Sequence, residues 1–310
     1  MAAESSHLQI GVTQESITYN VTATYYTIQV LIDNRNRLEQ NILNLESIIK
    51  VNEVLLTNEI IAANVHYRLN INLQNLKNEY ENLQINLSNQ YSSLKYLMNI
   101  TSADSLVVMP FENNVNGKNV QLYDLRMRPD MRLQHSLVKL EELKMKSVMA
   151  RYKPTMTLSL TSGFTSYNDA LAPYEQINND WIGNSAVSVQ AKIPLFAGFQ
   201  KKFQMGQQHM SIQQAKNSYA LMQLRAEKEV WEANANFDRH QDQLLNTKKS
   251  LDMAQQLFDS AQEDYVQGLN TISDLLNAQN DLTDARSNYS TALLNLKLTE
   301  LAIRKANGLL

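Results

Sequence analysis

The chain has no cysteine, and its 310 residues include only eight glycines and five prolines. The missing cysteines exclude a disulfide scaffold and thiolate metal sites, and they suit an oxidising compartment. No run approaches the ~18 consecutive apolar residues of a transmembrane helix. Charge of one sign is also missing: 28 Lys+Arg face 31 Asp+Glu, a net −3. Without a basic excess to neutralise phosphates, nucleic acid is not an expected partner. The opening MAAESSHLQI has neither the basic nor the apolar region of a signal peptide. Such a segment is expected to have been removed, or the chain to begin inside its gene.

Catalytic constellations are absent as well. The five histidines, His7, His66, His135, His209 and His240, are scattered, with no HExxH and no i, i+4 pair for zinc. There is no GxSxG and no phosphate-cradling glycine loop. His240 falls on a helical seam, where a buried, hydrogen-bonded histidine is expected. The carboxylates fall on helix faces that water solvates. The sequence therefore predicts no enzyme, no metal and no cofactor.

What is present is helix and a core, with 44% of residues apolar. All five prolines (Pro110, Pro129, Pro154, Pro173, Pro194) lie in the middle of the chain. Proline and glycine break helices, so the flanking blocks read as very long ones. From Phe237 a heptad runs through Leu244, Leu251, Phe258 and Tyr265, with Ala233, His240, Thr247, Ala254 and Ala261 beside it. It resumes as Leu275, Leu282, Tyr289, Leu296 and Ile303. A sustained seven-residue period specifies helices that coil around one another. The first block repeats the grammar. A gapless shift of 209 residues lays Val21 on Val230, Leu73 on Leu282, Tyr80 on Tyr289 and Leu94 on Ile303. The chain is an internal duplication, and residues 130–209 have no counterpart in the first copy, whose front is expected to be lost.

That unmatched segment holds two alternating runs. In TMTLSLTSGFT, Met156, Leu158, Leu160 and Phe164 share one face; in VSVQAKIPL, Val187, Val189, Ala191, Ile193 and Leu195 do. Period two marks strands with one apolar and one polar face. About ten residues is what a tilted strand needs to cross a bilayer. Tyr167, Tyr174 and Trp181 stand where an interfacial girdle would put aromatics. A soluble hairpin packed on the helices alternates in the same way, but an isolated two-stranded sheet leaves its edges unpaired, which a closed barrel cures.

Arg128-Pro129-Asp130 opens a helix ending at Tyr152-Lys153-Pro154. Two strands follow, then Ile193-Pro194-Leu195-Phe196-Ala197-Gly198, and after the long helix Tyr265-Val266-Gln267-Gly268-Leu269-Asn270-Thr271-Ile272-Ser273-Asp274-Leu275-Leu276-Asn277-Ala278. That order resembles the TolC-type outer-membrane channels of bacterial efflux and type I secretion. The resemblance implies a mainly α fold: long antiparallel coiled-coil helices of an α-barrel, plus a transmembrane β-hairpin contributing to a trimeric β-barrel. It implies a homotrimer in outer-membrane lipid reaching into the periplasm, served by a periplasmic adaptor (membrane fusion) protein and an inner-membrane transporter. Met156, Leu158, Leu160, Val187, Val189 and Ile193 are then expected to face lipid. With only two recognisable strands, the chain as written is not expected to close the family's barrel. A coiled-coil rod or periplasmic adaptor with a soluble hairpin is the alternative, and it predicts that the same residues pack on helices.

The expected organisation is first-repeat helices at 1–100, a connection at 101–128 that includes Asn113 to Gly117, and a second repeat at 129–310. Within the second repeat, helix 129–153, strands 155–167 and 185–196, helix 199–267, a tip turn at 268–271 and helix 272–307 are expected. At the tip, Gly268 permits the left-handed backbone of a helix end. Thr271 and Asp274 read as a capping box. By resemblance, Asp274 and Asn277 line the periplasmic aperture, Tyr265 belongs to the gating network, and a supporting arginine is replaced by Asn270. Gly268, Leu269 and Thr271 are the expected adaptor contacts. In the first copy the tip glycine falls on Glu59 and the gate acid on Asn64 or Val65, and no role is carried over.

Overall fold

The computed structural model describes residues 2–58, 62–101, 104–109, 125–166 and 181–310. Five helices, α1 (Ala2–Thr57), α2 (Ala63–Leu97), α3 (Pro129–Ala150), α4 (Gln200–Val266) and α5 (Ile272–Ala306), accompany an antiparallel hairpin of β1 (Thr155–Ser166) and β2 (Trp181–Lys192). At 1.5 Å per residue, the 67 residues of α4 extend about 100 Å. Among the described residues no helix is long and apolar enough to cross a membrane. The expected link 113–117, Glu59, and Tyr167 and Tyr174 lie outside the described residues.

The elements form two compact units. One is built on Gln134–Ala220 and holds the hairpin. The other joins Glu4–Leu133 to Leu221–Leu310. In the second unit the duplication is physical. Helices α2 and α5 are both 35 residues long, and the 209-residue shift carries N-cap Ala62 onto Thr271 and C-cap Met98 onto Asn307. It also carries Asn99 (φ 54°) onto Gly308 (φ 70°), left-handed residues that end their helices with matching bonds. Ile100 N–H donates to the Lys95 carbonyl and Leu309 N–H to that of Arg304, each at 2.9 Å.

The packing repeats too. Ile28, Leu87 and Leu94 bury together between α1 and α2. Their shifted counterparts Phe237, Leu296 and Ile303 bury together between α4 and α5. A third cluster draws on all four helices through Leu45, Leu69, Ala261, Leu275 and Ala278. The alternation of large and small residues that Leu69 over Ala278 exemplifies is what lets long helices interdigitate. His240 is half-buried, with Nδ1 3.2 Å from the Gln243 side chain.

Arg128 closes this unit at the start of α3, with Glu15 of α1 beside it. The Glu15 side chain is buried, and its Oε1 has no hydrogen-bond partner among the described residues. Burial first, and then the Asp130 carboxylate, push its pKa up, while Arg128 and Lys305 pull it back. A carboxyl whose folded pKa is raised contributes stability that is present in acid and lost as pH rises through that pKa. Glu15→Gln is therefore expected to raise the urea midpoint at neutral pH. The gain should disappear below about pH 4, where the natural side chain is already protonated in both states.

Candidate gate turn and membrane hairpin

The turn between α4 and α5 is dense in specific bonds. Gly268 takes φ 73°, and its N–H donates to the Tyr265 carbonyl at 3.0 Å. Leu269 N–H donates to the Asp264 carbonyl at 2.8 Å, and the Asn270 side chain donates to the Asp264 carboxylate at 3.1 Å. Asn270, where the resemblance leads one to expect an arginine, thus closes its own turn. Thr271 then caps α5. Its hydroxyl donates to Asp274 Oδ2 at 2.6 Å and accepts from the Asp274 N–H at 3.3 Å, while its own N–H donates to Asp274 Oδ2 at 3.1 Å. These bonds, the Thr271 hydroxyl first, hold the Asp274 carboxyl below the ordinary carboxylate range. The residue is a carboxylate at neutral pH. Thr271→Ala is expected to cost about 1 kcal/mol. It should also return the Asp274 pKa toward the usual aspartate value, as read by NMR titration.

The structure separates the three expected gate residues by direction. Asp274 and Asn277, three apart on α5, are both exposed on its solvent face. Tyr265 turns inward, where its hydroxyl donates to Asn52 Oδ1 at 2.9 Å. Asn52 is fully buried on α1, and its amide donates in turn to the Ile48 carbonyl at 2.9 Å. Near the turn, Arg68 Nη1 of α2 donates to Ser273 Oγ at 3.3 Å. Asn52 was not read from sequence, although a signal existed: it follows Leu38 and Leu45 at seven-residue spacing, a polar residue in an apolar seam. Of the expected adaptor contacts, Leu269 is 71% exposed and a Cβ on Gly268 would meet nothing within 4 Å.

The hairpin is the second feature. Its register pairs Met156 with Ala191, Leu158 with Val189 and Leu160 with Val187, and sets Thr157 against Gln190 and Ser159 against Ser188. Directly paired residues share a face, so one face is apolar and the other polar. Among the described residues the apolar row packs on no helix: Leu158 is 72% exposed and Leu160 76%. The sheet has only these two strands among the described residues, so each outer edge is unpaired. The second strand lies four residues earlier than expected. Residues Trp181 to Asn184 join it, while Ile193 to Phe196 fall beyond its end. The cause is Pro194, which has no N–H to give a ladder. Ile193 is therefore not a strand residue, though it is 60% exposed.

The chain resembles the outer membrane protein VceC of Vibrio cholerae (TM-score 0.77, 17% identity) over 98% of its own length and 72% of that chain. It resembles the CmeC outer membrane channel of Campylobacter jejuni (0.81, 16%) over 98% and 65%, and the open state of the MtrE outer membrane channel of Neisseria gonorrhoeae (0.80, 16%) over 98% and 69%. These likenesses establish the fold, and the chain spans about two thirds of the relatives' length. No curated protein matches it in sequence. The outer membrane efflux protein family matches residues 125–309, and the chain belongs to that family. It is a channel-family protein of the bacterial outer membrane that extends into the periplasm.

Proposed function

We propose that this chain is one protomer of a homotrimeric exit duct in a tripartite efflux or type I secretion system. It carries small molecules or polypeptides passively outward from an inner-membrane transporter and its periplasmic adaptor. The observation that carries this reading is the exposed apolar row of a hairpin with two unpaired edges, which membrane lipid and neighbouring strands would cover together. Met156, Leu158, Leu160, Val187 and Val189 then face lipid, with Ile193 just past the strand at the membrane surface. In sequence terms, 1–100 and 129–310 are the two repeats and 101–128 their connection.

Threefold symmetry sets three copies of Asp274 round one axis, a carboxylate ring that favours cations. Asn277 adds hydrogen-bonding capacity without charge. Leu269, Gly268 and Thr271 offer the tip to an adaptor. The Tyr265–Asn52 bond is the latch that holds α4 on α1 and the aperture narrow. Tyr265→Phe leaves the buried Asn52 carbonyl oxygen without its donor. The expected cost is about 1–3 kcal/mol, together with higher single-channel conductance in planar bilayers. The reading as a whole is tested by imaging the full gene product in detergent. Threefold tubes that conduct when reconstituted support it. Single thin rods without conductance refute it and leave a structural coiled coil.

A further inference from the structure

The end of the hairpin that joins the helices has a chemistry of its own. Residues 143–168 and 181–226 contain no aspartate or glutamate. Within them, Arg151, Lys153, Lys192, Lys201 and Lys202 are all exposed, and none has a carboxylate within 4 Å among the described residues. Thr155 pairs with Lys192, so the strand entering from α3 and the strand leaving toward α4 meet the helices at one level. The Lys201 ammonium stands 5.4 Å over the Tyr152 ring, whose hydroxyl donates to Gln204 Oε1 at 2.8 Å. Beside them a cavity of about 340 Å³ is lined by Arg151, Ser147, Gln207, Ser211 and Lys144, whose ammonium is paired with Glu141 at 2.6 Å.

Large apolar side chains are interleaved with these cations. Leu195 is 93% exposed and Phe196 83%, while Phe199 at 69% and Phe203 at 72% flank Lys201 and Lys202. The Phe196 and Phe199 rings meet edge to face at 6.3 Å. Rings that seek the acyl boundary, alternating with ammonium groups that seek phosphate, are the pattern of a membrane-surface segment.

We propose that this junction binds anionic phospholipid headgroups of the periplasmic leaflet of the outer membrane. The cations engage the phosphates, and Phe196, Phe199 and Phe203 engage the acyl chains. The proposal rests on the reading of the hairpin as membrane-embedded. Charge complementarity selects the leaflet. The segment 167–180 joining the far ends of the strands carries Asp169, Glu175 and Asp180 in sequence and no Lys or Arg. That end repels the phosphates of lipid A, whereas the helix end attracts phosphate. The junction is a collar that fixes the depth of the duct.

These 310 residues hold no cysteine, so once any thiol elsewhere in the gene product is replaced by serine, a single introduced one carries a unique label. Bimane is placed at Gln200→Cys in the full gene product, in phosphatidylcholine vesicles with and without phosphatidylglycerol, and quenching by the brominated form of each lipid is compared. Phosphatidylglycerol is expected to be preferred. The preference should fall about fivefold for each cation removed in Arg151→Gln, Lys201→Gln and Lys202→Gln, and fall with added salt. A second label at Leu158→Cys reports insertion through quenching by either lipid. If Leu158 is quenched but Gln200 shows no phosphatidylglycerol preference, or one that survives loss of the cations, the headgroup surface is refuted and the duct stands. Vesicles carrying lipid A in place of phosphatidylglycerol complete the comparison, and a preference for lipid A also refutes it. If the Leu158 label remains in water, the membrane reading fails and the proposal with it.

Discussion

Replacing Arg128 with methionine is expected to destabilise the helical unit by about 3–5 kcal/mol, the cost of breaking a buried ion pair by removing one partner. The side chain is 3% exposed. Its Nη2 donates to Asp130 Oδ2 at 2.7 Å and to Glu229 Oε2 at 2.8 Å, and its Nε to Asp130 Oδ1 at 3.0 Å. Its Nη1 donates to the Ala306 carbonyl at 3.1 Å. One guanidinium thus ties the start of α3 to α4 and satisfies a carbonyl at the C-terminal end of α5. Gly308 follows, where an added Cβ would meet Arg128 Cγ at 3.1 Å. Methionine fills the space but leaves Asp130 and Glu229 facing each other near the buried Glu15. The Glu229 arm is partly exposed and contributes less than the Asp130 arm. Arg128→Lys should recover only part of the loss, because one ammonium cannot reproduce the planar fork. Urea midpoints at neutral pH decide it: a methionine variant within 1 kcal/mol of the natural chain would show the node to be dispensable.

That node also marks the limit of what the sequence disclosed. The helical architecture was legible because it follows from periodicity. Heptads from Phe237 to Ile303 fixed the faces, and Phe237, Leu275, Leu282 and Leu296 are buried where the pattern put them. The 209-residue shift reappears as matched caps, because two copies of one pattern solve one packing problem. The Thr271–Asp274 capping box was legible for a local reason: three residues supply every atom of it. Partners far apart in sequence were not. Arg128 and Asp130 were read as the opening of a helix, with nothing to point at Glu229 about a hundred residues on. Tyr265 was singled out, but its partner Asn52 lies 213 residues away, and only the break in an apolar seam hinted at it. The second strand was misplaced because the alternation of Ile193 and Leu195 continues past the point where Pro194 ends the ladder. Periodicity sees the side chains and not the missing donor.

The proposed lipid face makes the most asymmetric prediction. Leu158 and Ser159 are adjacent in β1 and paired with Val189 and Ser188, so they point to opposite faces of the same sheet. An arginine on the lipid face of a membrane barrel costs about 2–4 kcal/mol near the bilayer midplane. On the lumen face it stays in water and alters selectivity. In the full gene product, Leu158→Arg is therefore expected to abolish most folded channel in the outer membrane, measured as protease-resistant oligomer. Ser159→Arg should assemble normally and lower cation conductance. The comparison is sharp because both positions are exposed in the isolated protomer, Leu158 at 72%. In a soluble hairpin neither arginine would be buried and both would be tolerated alike. Equal assembly of the two variants would place this sheet in water, and with it would go the lipid-facing assignment of Met156, Leu160, Val187 and Val189. Strong loss at Leu158 alone would leave bilayer hydrocarbon as the one environment that distinguishes two neighbouring residues of an open sheet.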